Sequence, residues 1–107
     1  MYKLDICCKP EQKELVLSTL HESGVDKIGH YDHCWAIASI EGSHRALEGA
    51  QPVFGGVGSI ENYPLLKIEI NVTREQVSPV IKQLKACLGW EEPLVNIFKL
   101  YNNEFDY

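Results

Sequence analysis

Long hydrophobic runs are missing from this 107-residue chain. Uninterrupted apolar stretches reach about five residues, against the roughly 20 a membrane-spanning helix needs. The opening Met-Tyr-Lys-Leu-Asp also lacks the apolar region of a secretory signal, so the expected location is the cytoplasm. A surplus of positive charge is absent too: 10 Lys and Arg stand against 15 Asp and Glu, a net charge of −5, and the basic residues are dispersed. Nucleic acids and phospholipid surfaces draw their affinity mostly from concentrated Lys and Arg, so neither is an expected partner. Cysteine is scarce and never spaced C-x-x-C. Cys7 and Cys8 adjoin, and such neighbours rarely bridge, so Cys7, Cys8, Cys34 and Cys87 are read as thiols, chiefly small buried hydrophobes.

What is present is one globular domain spanning residues 1–107, with its core over about 2–100 and a tail from 101. Hydrophobic residues at 45% and charged residues at 23% suffice for a core in a chain of this length. "YKLDICC" alternates, with Tyr2, Leu4, Ile6 and Cys8 on one face and Lys3, Asp5 and Cys7 on the other, as a half-buried strand does. "KPEQKELVLSTLHESG" follows as a helix, with Pro10 in its first turn, Val16, Leu17 and Leu20 on one side and Gly24 as its stop. The pattern then recurs. "LLKIEINV" (65–72) repeats the strand, and "TREQVSPVIKQLKACLG" repeats the helix, opening with Thr73 and Gln76 in capping-box spacing. A displacement of 64 positions matches Lys3 with Lys67, Ile6 with Ile70, Glu11 with Glu75, Gln12 with Gln76, Val16 with Val80 and Leu20 with Leu84. The match starts the second helix near Thr73 and leaves Pro79 to bend it or to lie where the lost bond is tolerated.

Return strands at 34–41 and 94–100 complete two strand–helix–strand units. Together they predict an α+β, ferredoxin-like βαββαβ fold, four antiparallel strands with both helices on one face. "GSHRALEGAQPVFGGVGS" (42–59) holds five of the eight glycines and reads as a long excursion between the halves. Only one face of such a sheet is covered by helices. The second strand is apolar on both faces, Trp35 and Ile37 on one, Cys34, Ala36, Ala38 and Ile40 on the other. That predicts self-association, unless the glycine-rich loop folds back over Trp35. Trp35, Ile37 and Trp90 are the candidate interface residues.

"IGHYDHCW" (28–35) concentrates chemistry. His30, His33 and Cys34 are candidate metal ligands, suited to zinc or copper. Gly29 and Asp32 point to a turn, so three ligands from one chain converge poorly and a shared site between subunits is the better geometry. Cys34 as a nucleophile needs a lowered thiol pKa and an orienting base, which sequence position does not provide. Glu91 and Glu92, entering a strand side by side, are expected to face opposite ways. "EGAQPVFGGVGS" can expose backbone N–H groups to an anion but lacks a phosphate-loop ending, so a connecting or contact loop is the plainer reading.

"ESGVDKIGHYDHCW", "LEGAQPVFGGVGSIE", "KIEI" and "WEEPLVNI" come in the order found in the CutA/PII-like domain inserted into Nif-three-like dinuclear-metal proteins. The sequence resembles that domain over residues 2–100, anchored by Gly24, Ile28, Gly29, Tyr31, Cys34, Glu48, Gly49, Ala50, Pro52, Gly55, Gly58 and Glu91-Glu92-Pro93. It departs from the family pattern at His30, at Trp90 and at Leu88-Gly89. The resemblance implies a stand-alone copy of the insert, a ferredoxin-like fold and homotrimers, with no dinuclear centre carried over. Gly29, Tyr31, Glu48, Gly49, Gly55, Gly58, Glu91 and Glu92 are its candidate ligand-binding positions. The expected function is a non-catalytic sensing or regulatory module that binds a small ligand or metal ion. A protein-docking domain, or an enzyme using Cys34 or a histidine-held metal, are the alternatives.

Overall fold

The computed structural model describes residues 1–52 and 55–106; Val53 and Phe54 of the glycine-rich segment, and Tyr107 of the tail, lie outside the described residues. The elements run β1 (Tyr2–Cys8), α1 (Lys13–Ser23, after a single 3-10 turn at Pro10–Gln12), β2 (Ala36–Arg45), β3 (Ile60–Val72), α2 (Arg74–Leu88) and β4 (Val95–Lys99), with a short 3-10 turn at Asn102–Phe105. The four strands form one antiparallel sheet in the order β2-β3-β1-β4, the ferredoxin-like topology the duplicated pattern predicts. No helix among the described residues is long and apolar enough to cross a membrane.

Alternation in the sequence sets which face is buried. β1 pairs Leu4 with Ile70 and Ile6 with Ile68, so their side chains share the helix-covered face. There they pack with Val16, Leu17 and Leu20 of α1 and Val80, Leu84 and Leu88 of α2 in one core, most of it fully buried. Replacing one such leucine by alanine costs about 2–5 kcal/mol.

The two helices start alike. The Lys9 N–H donates to Gln12 Oε1 at 3.0 Å, and the Thr73 N–H donates to Gln76 Oε1 at 2.9 Å, each glutamine satisfying an amide that the first turn would leave bare. Gln12 also donates through Nε2 to the Leu88 carbonyl at 3.0 Å, tying the start of one helix to the end of the other. Both helices end on a left-handed glycine, Gly24 (φ 77°) and Gly89 (φ 67°). Pro79 sits inside α2 on its exposed side, so the bond it cannot donate is lost where solvent can replace it.

Two boundaries differ from the sequence reading. β2 runs to Arg45 and β3 starts at Ile60, so positions 42–45 are strand rather than loop. Gly42 pairs with Tyr63, and a Cβ on it would stand 2.5 Å from Leu65 Cδ1, so this glycine serves close packing rather than a turn. β1 reaches only to Leu66 of β3, which leaves the far half of the β2–β3 hairpin projecting past the sheet in a molecule 49 Å long and 27 Å wide. At the other side of the sheet, the Leu100 N–H donates to the Met1 carbonyl at 3.0 Å.

Candidate functional site

The segment between α1 and β2 gathers the densest chemistry. Gly24 turns the chain left-handed after α1, and Val25 and Asp26 drop into the interior, Asp26 at 1% exposure. Two backbone bonds between Ile28 and Tyr31, 2.9 and 3.0 Å, then close a tight turn with Gly29 (φ 59°) and His30 at its tip. Asp26 organises the return: its Oδ2 accepts from His21 Nδ1 at 2.7 Å and from the His33 N–H at 2.9 Å, and its carbonyl accepts the Cys34 N–H at 2.9 Å. Oδ1 of the same carboxylate is buried with no hydrogen-bond partner among the described residues.

His33 adopts φ 55°, a left-handed backbone that a residue with a Cβ holds only when its surroundings enforce it. The enforcement is visible. Its Nδ1 donates to Asp32 Oδ1 at 2.9 Å, its ring stacks on His21 with centroids 4.3 Å apart, and its far side meets the Trp35 indole edge-on at 5.2 Å. Burial pushes the Asp26 carboxyl up, but the bonds from His21, the His33 amide and its own backbone amide outweigh it and leave the group below the usual carboxylate range. The His33 bond holds Asp32 low as well, and Asp32 in turn raises His33. His21, Asp26 and His33 each bring a nitrogen or oxygen within 4.8 Å of the others'.

The structure therefore brings together one of the three metal candidates read from the sequence. His33 meets His21 and Asp26, while His30 stays exposed at the turn tip and Cys34 Sγ reaches the Asp32 carbonyl at 3.5 Å. Reading "IGHYDHCW" alone misses His21 and Asp26. The signal that could have found them is a histidine in the last turn of a helix and an aspartate two residues past its glycine stop, both pointing back at the same turn.

The second concentration lies under the projecting hairpin. A cavity of about 330 Å³ is bordered by Ser43, His44, Tyr63, Trp90, Glu91 and Glu92, with His44 Nδ1 and the Tyr63 hydroxyl at 2.8 Å. The expectation that Glu91 and Glu92 enter a strand side by side is corrected here. They occupy a bend between the Gly89 cap and β4, which starts only at Val95, so strand alternation does not apply and both border one cavity. Glu91 also accepts the Gln51 N–H at 3.3 Å. The other candidate positions shape the loop: Glu48 and Gly49 (φ 96°) lie in the turn where Ala50 N–H reaches the Leu47 carbonyl, Gly55 (φ 78°) abuts Glu61, and the Gly58 N–H donates to Ala46.

Trp35 is half-buried against the chain's own core. Among the described residues the glycine-rich loop does not cover it: β2 carries the chain from Ala36 to Arg45 before the loop begins, and Ala46 pairs there with Val57. Nor is β2 buried on both faces within the chain: Ala36, Ile37, Ala38 and Ser39 are all exposed. On the sheet face away from the helices, Lys3 Nζ bridges Glu69 at 2.7 Å and Asp5 at 3.5 Å. Glu69 is held below the usual range by its bond from Lys3, and Lys3 is raised by the same bond. All four cysteines are free, and burial pushes the Cys8 thiol up to about 11.

No family model matches the chain. It is 33% identical over 91 residues to the GTP cyclohydrolase 1 type 2 homolog of Mycobacterium tuberculosis, covering 84% of this chain and 24% of that protein. The chain thus spans about a quarter of the length of the curated relatives it matches. Among solved structures it superposes on a Bacillus cereus protein related to NIF3 with a TM-score of 0.80 at 24% identity, over 94% of this chain and 26% of that one. CutA from Archaeoglobus fulgidus, a periplasmic divalent cation tolerance protein, gives 0.67 at 17% identity, covering 94% and 85%. CPII of Thiomonas intermedia, a nitrogen regulatory PII-like protein bound to ADP, AMP and bicarbonate, gives 0.61 at 20% identity, covering 92% and 88%. This chain is homologous to a segment of the GTP cyclohydrolase 1 type 2 homologs and has the CutA/PII-like fold.

Proposed function

From that kinship and fold, we propose that the chain is a non-catalytic sensing or regulatory module that self-associates, with trimers the expected assembly, and takes a small ligand or metal ion in clefts between copies. One observation carries the reading: both edges of the sheet are open and apolar. Among the described residues, β2 and β4 each have a strand on one side only. β2 presents Ala36, Ile37 and Ala38, and β4 presents Ile97 and Phe98 at 51% and 45% exposure. Unpaired strand backbone flanked by apolar side chains is a template for a further strand, and a second copy can supply it.

The cavity beside the projecting hairpin supports the ligand part of the reading. Two carboxylates next to an indole and a phenol suit a small molecule rich in hydrogen-bond donors or carrying positive charge. A Cys34 nucleophile is disfavoured, since its Sγ lies on the Asp32 carbonyl rather than on a base. Native mass spectrometry of protein purified without chelators tests the proposal. The expected species is three times the 12.1 kDa chain, and Ala38→Glu or Ile97→Glu should reduce it to one. A wild-type chain that stays monomeric at 50 µM overturns it.

A further inference from the structure

We propose that His21, Asp26 and His33 form a binding site for one first-row divalent cation such as Zn²⁺ within each chain. The site is distinct from the clefts between copies and does not rest on self-association. Three observations converge on it. The donor atoms of the three side chains lie within 4.8 Å of one another. Two imidazoles with one carboxylate are a donor set that suits zinc, copper or nickel rather than magnesium or calcium, which favour oxygen alone. The third observation is the decisive one: Asp26 is 1% exposed, and its Oδ1 has no partner among the described residues, while Oδ2 already accepts two hydrogen bonds. A buried carboxylate oxygen without a donor is a costly feature that a cation would relieve.

The surroundings match what a bound cation needs. His33 Nδ1 is held by Asp32, the carboxylate-to-imidazole contact that orients metal-binding histidines. Tetrahedral Zn²⁺ with bonds near 2.0–2.1 Å sets its ligands about 3.3 Å apart, so the widest pair closes by up to roughly 1.5 Å, while His21 Nδ1 and Asp26 Oδ2, now 2.7 Å apart, open slightly as the proton between them is lost. The two histidine side chains are 44% and 57% exposed and have room to rotate inward, whereas Asp26 is fixed. Three protein ligands leave at least one position for water.

Isothermal titration of the full chain with zinc chloride, in chelator-free buffer, tests the site. The expected result is one Zn²⁺ per chain, whatever the oligomeric state, so a monomeric chain would leave this site standing while removing the proposed assembly. His21→Ala and His33→Ala should each weaken binding at least tenfold while the far-UV circular dichroism is unchanged, because both side chains are exposed. His30→Ala and Cys34→Ser should leave it intact. Absence of binding at millimolar zinc, binding indifferent to both His21→Ala and His33→Ala, or binding abolished by Cys34→Ser or His30→Ala overturns the assignment.

Discussion

Asp26→Asn isolates how much of the turn after α1 depends on one buried negative charge. The carboxylate accepts two hydrogen bonds through Oδ2, from His21 and from the His33 amide, and its other oxygen is enclosed. Asparagine has nearly the same shape, so the substitution leaves no cavity. If its oxygen takes the Oδ2 position, an NH₂ group with two donors must be housed in the enclosed place where Oδ1 finds no partner. If the amide is reversed, the NH₂ faces two donors instead. Either arrangement buries an unsatisfied group, at about 1–3 kcal/mol, and both bonds lose their charge assistance, roughly another 1 kcal/mol in total. The sum is about 2–4 kcal/mol. For a domain of this size that corresponds to a fall in Tm of roughly 10–25 °C, read by thermal melts at 222 nm with chelator present so that bound metal does not contribute. A loss below about 1 kcal/mol would show that Asp26 is not the organiser of this turn.

The Lys3–Glu69 bridge gives a pH signature. Glu69 is lowered in the fold, so its contribution is present above the ordinary glutamate range and is lost as pH falls through its folded value. Lys3 is raised, so its contribution holds at neutral pH and is lost as pH rises through its folded value. The difference in urea midpoint between wild type and Lys3→Met should therefore be widest at neutral pH, vanish in acid and strong base, and shrink in 0.5 M salt; a pH-independent difference would assign it to packing over Phe98 instead. With a thiol at about 11, Cys8 should resist iodoacetamide at pH 8, where roughly a thousandth is thiolate, while half-buried Cys34 reacts first by peptide mapping. Gln76→Ala removes the acceptor for the Thr73 amide and should cost about 0.5–1.5 kcal/mol in urea denaturation, with Gln12→Ala costing more because it also releases the Leu88 carbonyl.

The fold was legible because its signals are local and occur twice. Gln12 and Gln76, matched by the 64-residue displacement, make the same bond at the same helix position, and Gly24 and Gly89 stop the helices in the same way. Where meaning depended on a distant partner, the sequence misled. Gly42 looks like loop until Leu65 is placed beside it, and Pro64 sits in β3 beyond the reach of β1, where a strand with one neighbour tolerates proline. The cation cluster was half legible. His33 stood out beside His30 and Cys34, but which neighbours it meets is decided by three left-handed residues, Gly24, Gly29 and His33 itself, that swing the chain back onto α1. Strand alternation does not govern Glu91 and Glu92, which lie four and three residues before β4 begins.

The amide of Leu100 on the carbonyl of Met1 means that this unit's way in and way out are a single ladder rung apart. A host polypeptide can therefore carry such a unit as a side-loop, leaving its own trace at one point and resuming it a few ångströms away, without prying its framework open. That geometry offers a mechanical reason why a fold of this kind can occupy only a quarter of a much larger relative.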